Sequence, residues 1–219
     1  MRILLLGASG RTGKQLLQLA LNQGLEVVVI VRNAQKLAVS RHPALQVYEG
    51  EVDNPTLLKQ AITGCQAVIS SLNVSRKNDF PWAPLISPVD LMSRTMATLL
   101  PIAEEAAVQQ LIVLSACGVG ESMAVTPAWF RWIIRNTNVR FPYADHEKQE
   151  KLIVASKLNY TLIRPVALSN THKVLPVIVS EGKLPKPRFM SLPRLTLASF
   201  VLALLGTKNY SRKTIILSA

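Results

Sequence analysis

Gly7, Gly10 and Gly13 recur at intervals of three directly after the apolar run at residues 3–6, and an amphipathic segment begins at Lys14. A strand, a glycine turn and a helix start form the context in which such spacing cradles a dinucleotide diphosphate. Gly7 permits a tight turn, Gly10 lets a diphosphate approach the backbone, and Gly13 lets the helix lie close to the sheet. The free N–H groups of the first helical turn then face the anion. An ordinary glycine-rich turn is the alternative reading. A second signal stands at the end of residues 25–31, where Arg32 is followed by Asn33, Gln35 and Lys36 and no acid occurs. In dinucleotide-binding folds an acid at this point accepts hydrogen bonds from the 2′-hydroxyl of NAD, whereas an arginine accommodates the 2′-phosphate of NADP. Arg11, inside the glycine turn, supplies a second guanidinium, and two such forks make charge-assisted bidentate bonds to one phosphate. The expected coenzyme is therefore NADP(H), against the alternative of two solvated surface arginines.

Such groups work only if strands deliver them to one edge. Residues 25–31 are nearly all apolar and rich in β-branched side chains, as a strand buried on both faces of a parallel sheet should be. Further strands are expected at 45–49, 67–72, 111–115, 160–163 and 213–217. Helices are expected from Asn54, a capping residue followed by Pro55, through Gly64, and over about 88–107 and 195–204. Strands alternating with helices at this spacing predict an α/β fold, a Rossmann-type doubly wound parallel sheet with ligands at the C-terminal strand ends. No repeat or linker divides the chain, so residues 1–219 are expected to form one coenzyme-binding domain with small C-terminal substrate-capping elements. The loop 74–84 carries Arg76, Lys77, Phe80 and Trp82, and residues 126–134 hold two more tryptophans. Either these aromatics stack over the nicotinamide end of a ligand, or they pack beneath long loops.

The chain of 219 residues has 25 Lys and Arg against 13 Asp and Glu, a formal charge of +12. The last acidic residue is Glu181; Lys183, Lys186, Arg188, Arg194, Lys208, Arg212 and Lys213 follow unbalanced. Such a tail could attract nucleic acid or an anionic membrane surface. The basic residues are dispersed, however, and no nucleic-acid motif accompanies them. Attraction of anionic small molecules, or no specific role, is therefore the preferred reading, and a nucleic-acid partner is not expected. The apolar stretches fall short of the roughly 20 residues that cross a bilayer. Cys65 and Cys117 make neither a disulfide framework nor, with histidines, a zinc-site spacing. A cytoplasmic monomer without a metal site is expected.

Residues 143–165 read as a helix leading into a strand that closes with Arg164 and Pro165. Together with Gly-Ala-Ser-Gly-Arg-Thr-Gly at residues 7–13, the segment Gly-Glu-Val-Asp at 50–53 and Ser-Leu-Pro-Arg-Leu-Thr-Leu-Ala at 191–198, this resembles the atypical short-chain dehydrogenase/reductase superfamily over nearly the whole chain. The compact size looks most like the biliverdin-IXβ reductase/flavin reductase branch, with NmrA-like NADP-binding proteins as neighbours. The resemblance implies coenzyme contacts at Gly7, Ser9, Gly10, Arg11, Thr12, Gly13, Arg32, Glu51, Val52, Ser71, Leu72, Asn73, Ser115, Ala116, Pro165, Val166 and Leu168. It implies Ser115 as the active-site serine beside the hydride acceptor, and His146 as the histidine of that helix position, a weak proton donor if its pKa stays near neutral. Trp82, Trp129 and Arg131 are the expected substrate contacts. Arg164 belongs either to the phosphates or an acidic substrate, or to a structural strand end.

One departure restricts the chemistry. Short-chain dehydrogenases place a proton-donating Tyr four residues before a Lys that lowers its pKa; here Pro142 and His146 occupy those positions, and Tyr143 stands one place off. A ketone or alcohol dehydrogenase is not expected. The resemblance instead implies an NADPH-dependent oxidoreductase that delivers hydride to a planar conjugated acceptor such as a flavin (FMN), a biliverdin-type tetrapyrrole or a quinone. The alternative is a non-catalytic NADP(H) sensor or assembly factor of the NmrA-like type.

Overall fold

A computed structural model describes residues 1–37, 39, 41–181 and 191–219. The expected alternation is present: β1 (Arg2–Leu6), α1 (Arg11–Asn22), β2 (Glu26–Val31), β3 (Leu45–Glu49), α2 (Pro55–Ile62), β4 (Ala67–Ser70), α3 (Leu91–Glu105) and β5 (Gln110–Leu114). Then follow α4 (Ala128–Asn136), α5 (Arg140–Ala155), β6 (Tyr160–Pro165), β7 (Ala167–Ser169), β8 (Ile178–Glu181), β9 (Ser191–Pro193), α6 (Arg194–Ala203) and β10 (Lys213–Ser218). The main sheet runs β3-β2-β1-β4-β5-β6-β10-β8, parallel except for β8, which pairs antiparallel to β10 at the edge. This is the doubly wound order, a single α/β domain of the Rossmann type.

Side-chain alternation in the strands builds the two covering layers. Ile3 and Leu5, Val27 and Val29, and Ile69 face α1 and α6 through Leu16, Leu17, Leu197 and Val201. Leu4 and Leu6, Val28 and Ile30, and Val68 face α2, α3 and α5 through Leu58, Met96, Leu99 and Ile153. With both faces covered, the polar ends of the strands are left as the place where a ligand can sit. Strand order reverses between β1 and β4, and the chain leaves these strands at Gly7 and Ser71. The two exits lie so close that a Cβ on Gly7, already at φ +82°, would meet the Ser71 carbonyl carbon at 2.8 Å.

Several boundaries differ from expectation for local reasons. Helix α1 starts at Arg11, inside the glycine motif, so Arg11 is its first residue. Helix α3 starts at Leu91 rather than 88, where buried Asp145 from α5 accepts hydrogen bonds from the Met92 and Ser93 N–H groups at 2.7 and 3.2 Å. The α2 cap is as expected, with Asn54 Oδ1 accepting from Thr56 and Leu57 N–H. Strands β7, β8 and β9 are too short to announce themselves by periodicity. Lys183, Lys186 and Arg188 lie outside the described residues. No described helix is long and apolar enough to cross a membrane.

Candidate active site

The glycine turn is closed by Gly10 N–H donating to the Gly7 carbonyl at 3.0 Å. Gly10, the N-cap of α1, provides no side chain to satisfy the first helical N–H groups, so Arg11, Thr12 and Gly13 present theirs without an intrahelical partner. These are the donors an anion would use. Those of Arg11 and Thr12 open onto a groove of about 480 Å³ that also takes in Ser9, Arg32, Glu51, Val52, Leu72, Asn73, Ser115, His146, Pro165 and Leu168. Gly13 lines no part of it; its role is close packing beneath the turn. Ser71 lines the groove, but its hydroxyl is donated to the Leu6 carbonyl at 3.0 Å, which ties β4 to β1.

The groove is cationic. Arg11, Arg32, Arg76 and Arg194 all line it, and Arg194, the first residue of α6, escaped sequence reasoning. Burial, and then the charge of Arg11, push the Arg194 guanidinium below its usual pKa. Two cations so close form an arrangement that a bound anion relieves. Asp79 partly offsets them, its two carboxylate oxygens accepting from Arg11 at 2.7 Å each. That hydrogen-bonded guanidinium holds the Asp79 carboxyl below the usual carboxylate range.

A second cavity of about 350 Å³ adjoins the first, sharing Asn73, Val74, Arg76, Asp79, Ser115, His146, Pro165 and Leu168. Its remaining walls are mostly apolar: Cys117, Phe130, Ile133, Val139, Pro142 and Val166, with Ala116, Ala167 and Tyr143. The molecule thus has a polar, cationic groove continuous with a more apolar chamber. The Ser115 hydroxyl stands at the junction, buried and without a hydrogen-bond partner among the described residues. An orphaned buried hydroxyl carries a desolvation cost that a ligand polar group would recover.

Two sequence expectations are corrected here. Trp82, Trp129 and Arg131 line neither cavity. Helix α4 turns Phe130 and Ile133 toward the chamber and leaves Trp129 and Trp132 exposed, while Trp82 stacks against Phe80 and Trp132 on the surface. A near-neutral His146 is the second. The ring is buried, and burial pushes its pKa down to about 3, so at neutral pH it carries no proton to give as an imidazolium. It accepts a hydrogen bond at Nδ1 from the Gln149 amide at 2.7 Å, which leaves Nε2–H as a neutral donor. Tyr143 is no substitute acid: its hydroxyl is donated to the Cys117 carbonyl at 3.2 Å, and burial pushes its pKa up.

The His146 environment makes a stability prediction. Between pH 6.5 and about 3 the unfolded chain holds a proton on this ring that the folded chain refuses. Stability therefore falls as the pH drops through that window, with this ring contributing about 1.4 kcal/mol per pH unit. His146→Gln should flatten the slope by that amount, read from urea unfolding across the window. An unchanged slope would show that the ring is not buried neutral.

Arg164 resolves in favour of structure. It forms a buried pair with Glu150, through contacts of 2.6 and 3.0 Å, and reaches the more exposed Glu121 at 2.6 and 3.2 Å. This network ties β6 and α5 to the loop after β5, which forms one wall of the chamber.

Comparison with known proteins agrees with this geometry. An oxidoreductase of Aspergillus parasiticus, aflX, is 28% identical over 179 residues, covering 76% of this chain, and the chain spans only 65% of that relative. Among solved structures, a Veillonella parvula short-chain dehydrogenase/reductase in complex with NADP superposes with TM-score 0.80 at 17% identity, covering all of this chain and 94% of that one. ChuY, an anaerobillin reductase from Escherichia coli O157:H7, gives 0.80 at 18% identity, covering 99% and 96%. At such identities the structural likeness speaks for the fold. A family model described as NAD(P)H-binding matches residues 7–208, from the first glycine of the turn to the segment between α6 and β10. This chain belongs to the NAD(P)H-binding family.

Proposed function

We propose that the protein is an NADPH-dependent oxidoreductase that passes hydride to a planar conjugated acceptor: a flavin such as FMN, a biliverdin-type linear tetrapyrrole or a quinone. The observation that carries this reading is the continuity of the cationic groove with an apolar chamber at Ser115. A diphosphate would accept from the free N–H groups of Arg11 and Thr12, with Arg194 beside them, and Arg32, at the end of β2, would hold a 2′-phosphate. Glu51 and Val52 would flank the adenine, and Leu72, Ala116, Pro165, Val166 and Leu168 the nicotinamide.

The bound coenzyme supplies the hydride. The chain's own residues orient two rings and hold a few polar atoms. Ser115 Oγ is free to hydrogen-bond the nicotinamide carboxamide or a carbonyl of the acceptor, and His146 Nε2–H can donate to the same region without changing charge. With Tyr143 engaged and His146 neutral, the site offers no strong acid, which suits an electron-poor ring that accepts hydride and takes its proton from solvent. Phe130, Ile133 and Pro142 would give the acceptor ring an apolar surface to pack against. The short strands β7 and β9 cap this side in our reading, and the working unit is a cytoplasmic monomer.

The test is a panel of FMN, biliverdin and quinones with NADPH, followed by loss of coenzyme absorbance. Turnover with one of these classes is expected. Binding of NADPH without turnover of any would favour the sensor reading, which rests on the missing Tyr/Lys pair. Coenzyme choice has its own variant. Arg32→Asp should weaken NADPH binding by about 2 kcal/mol, from lost charge-assisted bonds and added repulsion, and leave NADH binding largely intact. An unchanged NADPH dissociation constant would remove Arg32 from the site.

A further inference from the structure

We propose that helix α4 and the adjoining turn at residues 80–82 form a peripheral docking face for an anionic lipid bilayer. The chain has three tryptophans, Trp82, Trp129 and Trp132, and all three are on this surface, 49, 64 and 55% exposed. Phe80, 62% exposed, packs on Trp82 at a centroid distance of 5.3 Å, and Trp82 meets Trp132 at 6.4 Å. The turn is fastened to the end of α4 by Asn138, whose amide donates to the Trp82 and Ala83 carbonyls. Exposing large aromatics in one cluster is costly in water, and indole rings partition to the membrane interface.

Charge selects the partner. Helix α4 (Ala-Trp-Phe-Arg-Trp-Ile-Ile-Arg-Asn) contains no acidic residue, and Arg131, Arg135 and the following Arg140 form no ion pair among the described residues. The acids on neighbouring segments are already engaged: Glu121 with Arg164, Asp145 at the start of α3, and Asp79 with Arg11. An aromatic face rimmed by unpaired arginines, on a chain of net charge +12, is complementary to a surface that is negative and has an apolar interior. At nine residues α4 cannot span a bilayer, but it can lie in the interface with its outer face down. Its inner face, Phe130 and Ile133, walls the acceptor chamber, so docking would bring that chamber to the lipid surface. Docking itself does not depend on the hydride-transfer reading.

Because every tryptophan lies in the patch, intrinsic fluorescence reports on it directly. The full chain is mixed with vesicles of phosphatidylcholine alone or with phosphatidylglycerol added, and co-sedimentation and tryptophan emission are recorded. Binding with a blue-shifted emission is expected on the anionic vesicles only, and should weaken as salt rises. Arg131→Gln with Arg135→Gln should reduce the partition coefficient about thirtyfold, with the circular dichroism spectrum unchanged. Trp129→Ala with Trp132→Ala should abolish binding at sites too exposed to disturb the core. Equal binding to both vesicle types, no binding to either, or retention by nucleic acid or an acidic protein in place of vesicles would each overturn the proposal.

Discussion

Gly13→Val is expected to lower stability by about 3 kcal/mol or more, and to remove coenzyme binding from whatever fraction still folds. A Cβ at this position would stand 2.0 Å from the Gly7 carbonyl oxygen, 2.7 Å from the Gly7 carbonyl carbon and 2.8 Å from Ala8 Cα. All three are backbone atoms of the turn that offers the anion its donors, so no side chain can swing aside. The turn must move, and the groove with it. Gly13→Ala sharpens the argument through its sign. Alanine in a helix is ordinarily about 1 kcal/mol better than glycine, yet here it should destabilise. Gly24 makes the control, because a Cβ there meets nothing within 4 Å and only its φ of +75° opposes a side chain. Gly24→Ala should cost about 1 kcal/mol and leave coenzyme affinity alone. Thermal unfolding with and without NADPH reads all three, and a Gly13→Ala protein as stable as the parent would contradict the packing described.

Arg164→Met should cost about 3–5 kcal/mol, because it strands the buried Glu150 carboxylate without its partner. The side chains of Arg164 and Glu150 are only 5 and 8% exposed, whereas Glu121 is 70% exposed. Burial alone would lower the Arg164 pKa, but the two carboxylates outweigh it and hold the guanidinium charged. Glu121→Gln should therefore matter little. Replacing both buried partners, Arg164→Met with Glu150→Met, should recover most of the loss, since an apolar pair of similar volume needs no compensating charge. Urea unfolding of Arg164→Met, Glu150→Met and the double variant decides the point: additive losses in the double variant would mean that the two residues do not act as a pair. A second consequence follows for the chamber, whose Cys117 wall belongs to the loop that Arg164 anchors.

The order of strands and helices, the glycine turn and the Arg32 position were legible in the sequence because each rests on local signals: β-branched runs, a cap such as Asn54-Pro55, and fixed glycine spacing. What was not legible depended on partners distant in the chain. Arg11 pairs with Asp79 across 68 residues, and Arg194 reaches the groove only because α6 packs beside α1. The burial that neutralises His146 is likewise a product of three-dimensional packing, invisible in a residue type whose unperturbed pKa is near neutral. The tryptophans are an intermediate case. Phe130, Ile133, Ile134 and Thr137 follow helical spacing and mark the inward face of α4; that phase, read carefully, already turns Trp129 and Trp132 outward. The three short strands β7, β8 and β9 carry too few residues for a period of two to emerge.

Calorimetric titration of the purified chain with NADPH and with NADH tests the central claim most directly. The structure predicts saturable one-to-one binding of both coenzymes, tighter for NADPH, with the preference lost in Arg32→Asp. Absence of heat or displacement with either coenzyme would contradict it, since a turn that leaves the Arg11 and Thr12 N–H groups open to a cationic groove would then have no anion to hold.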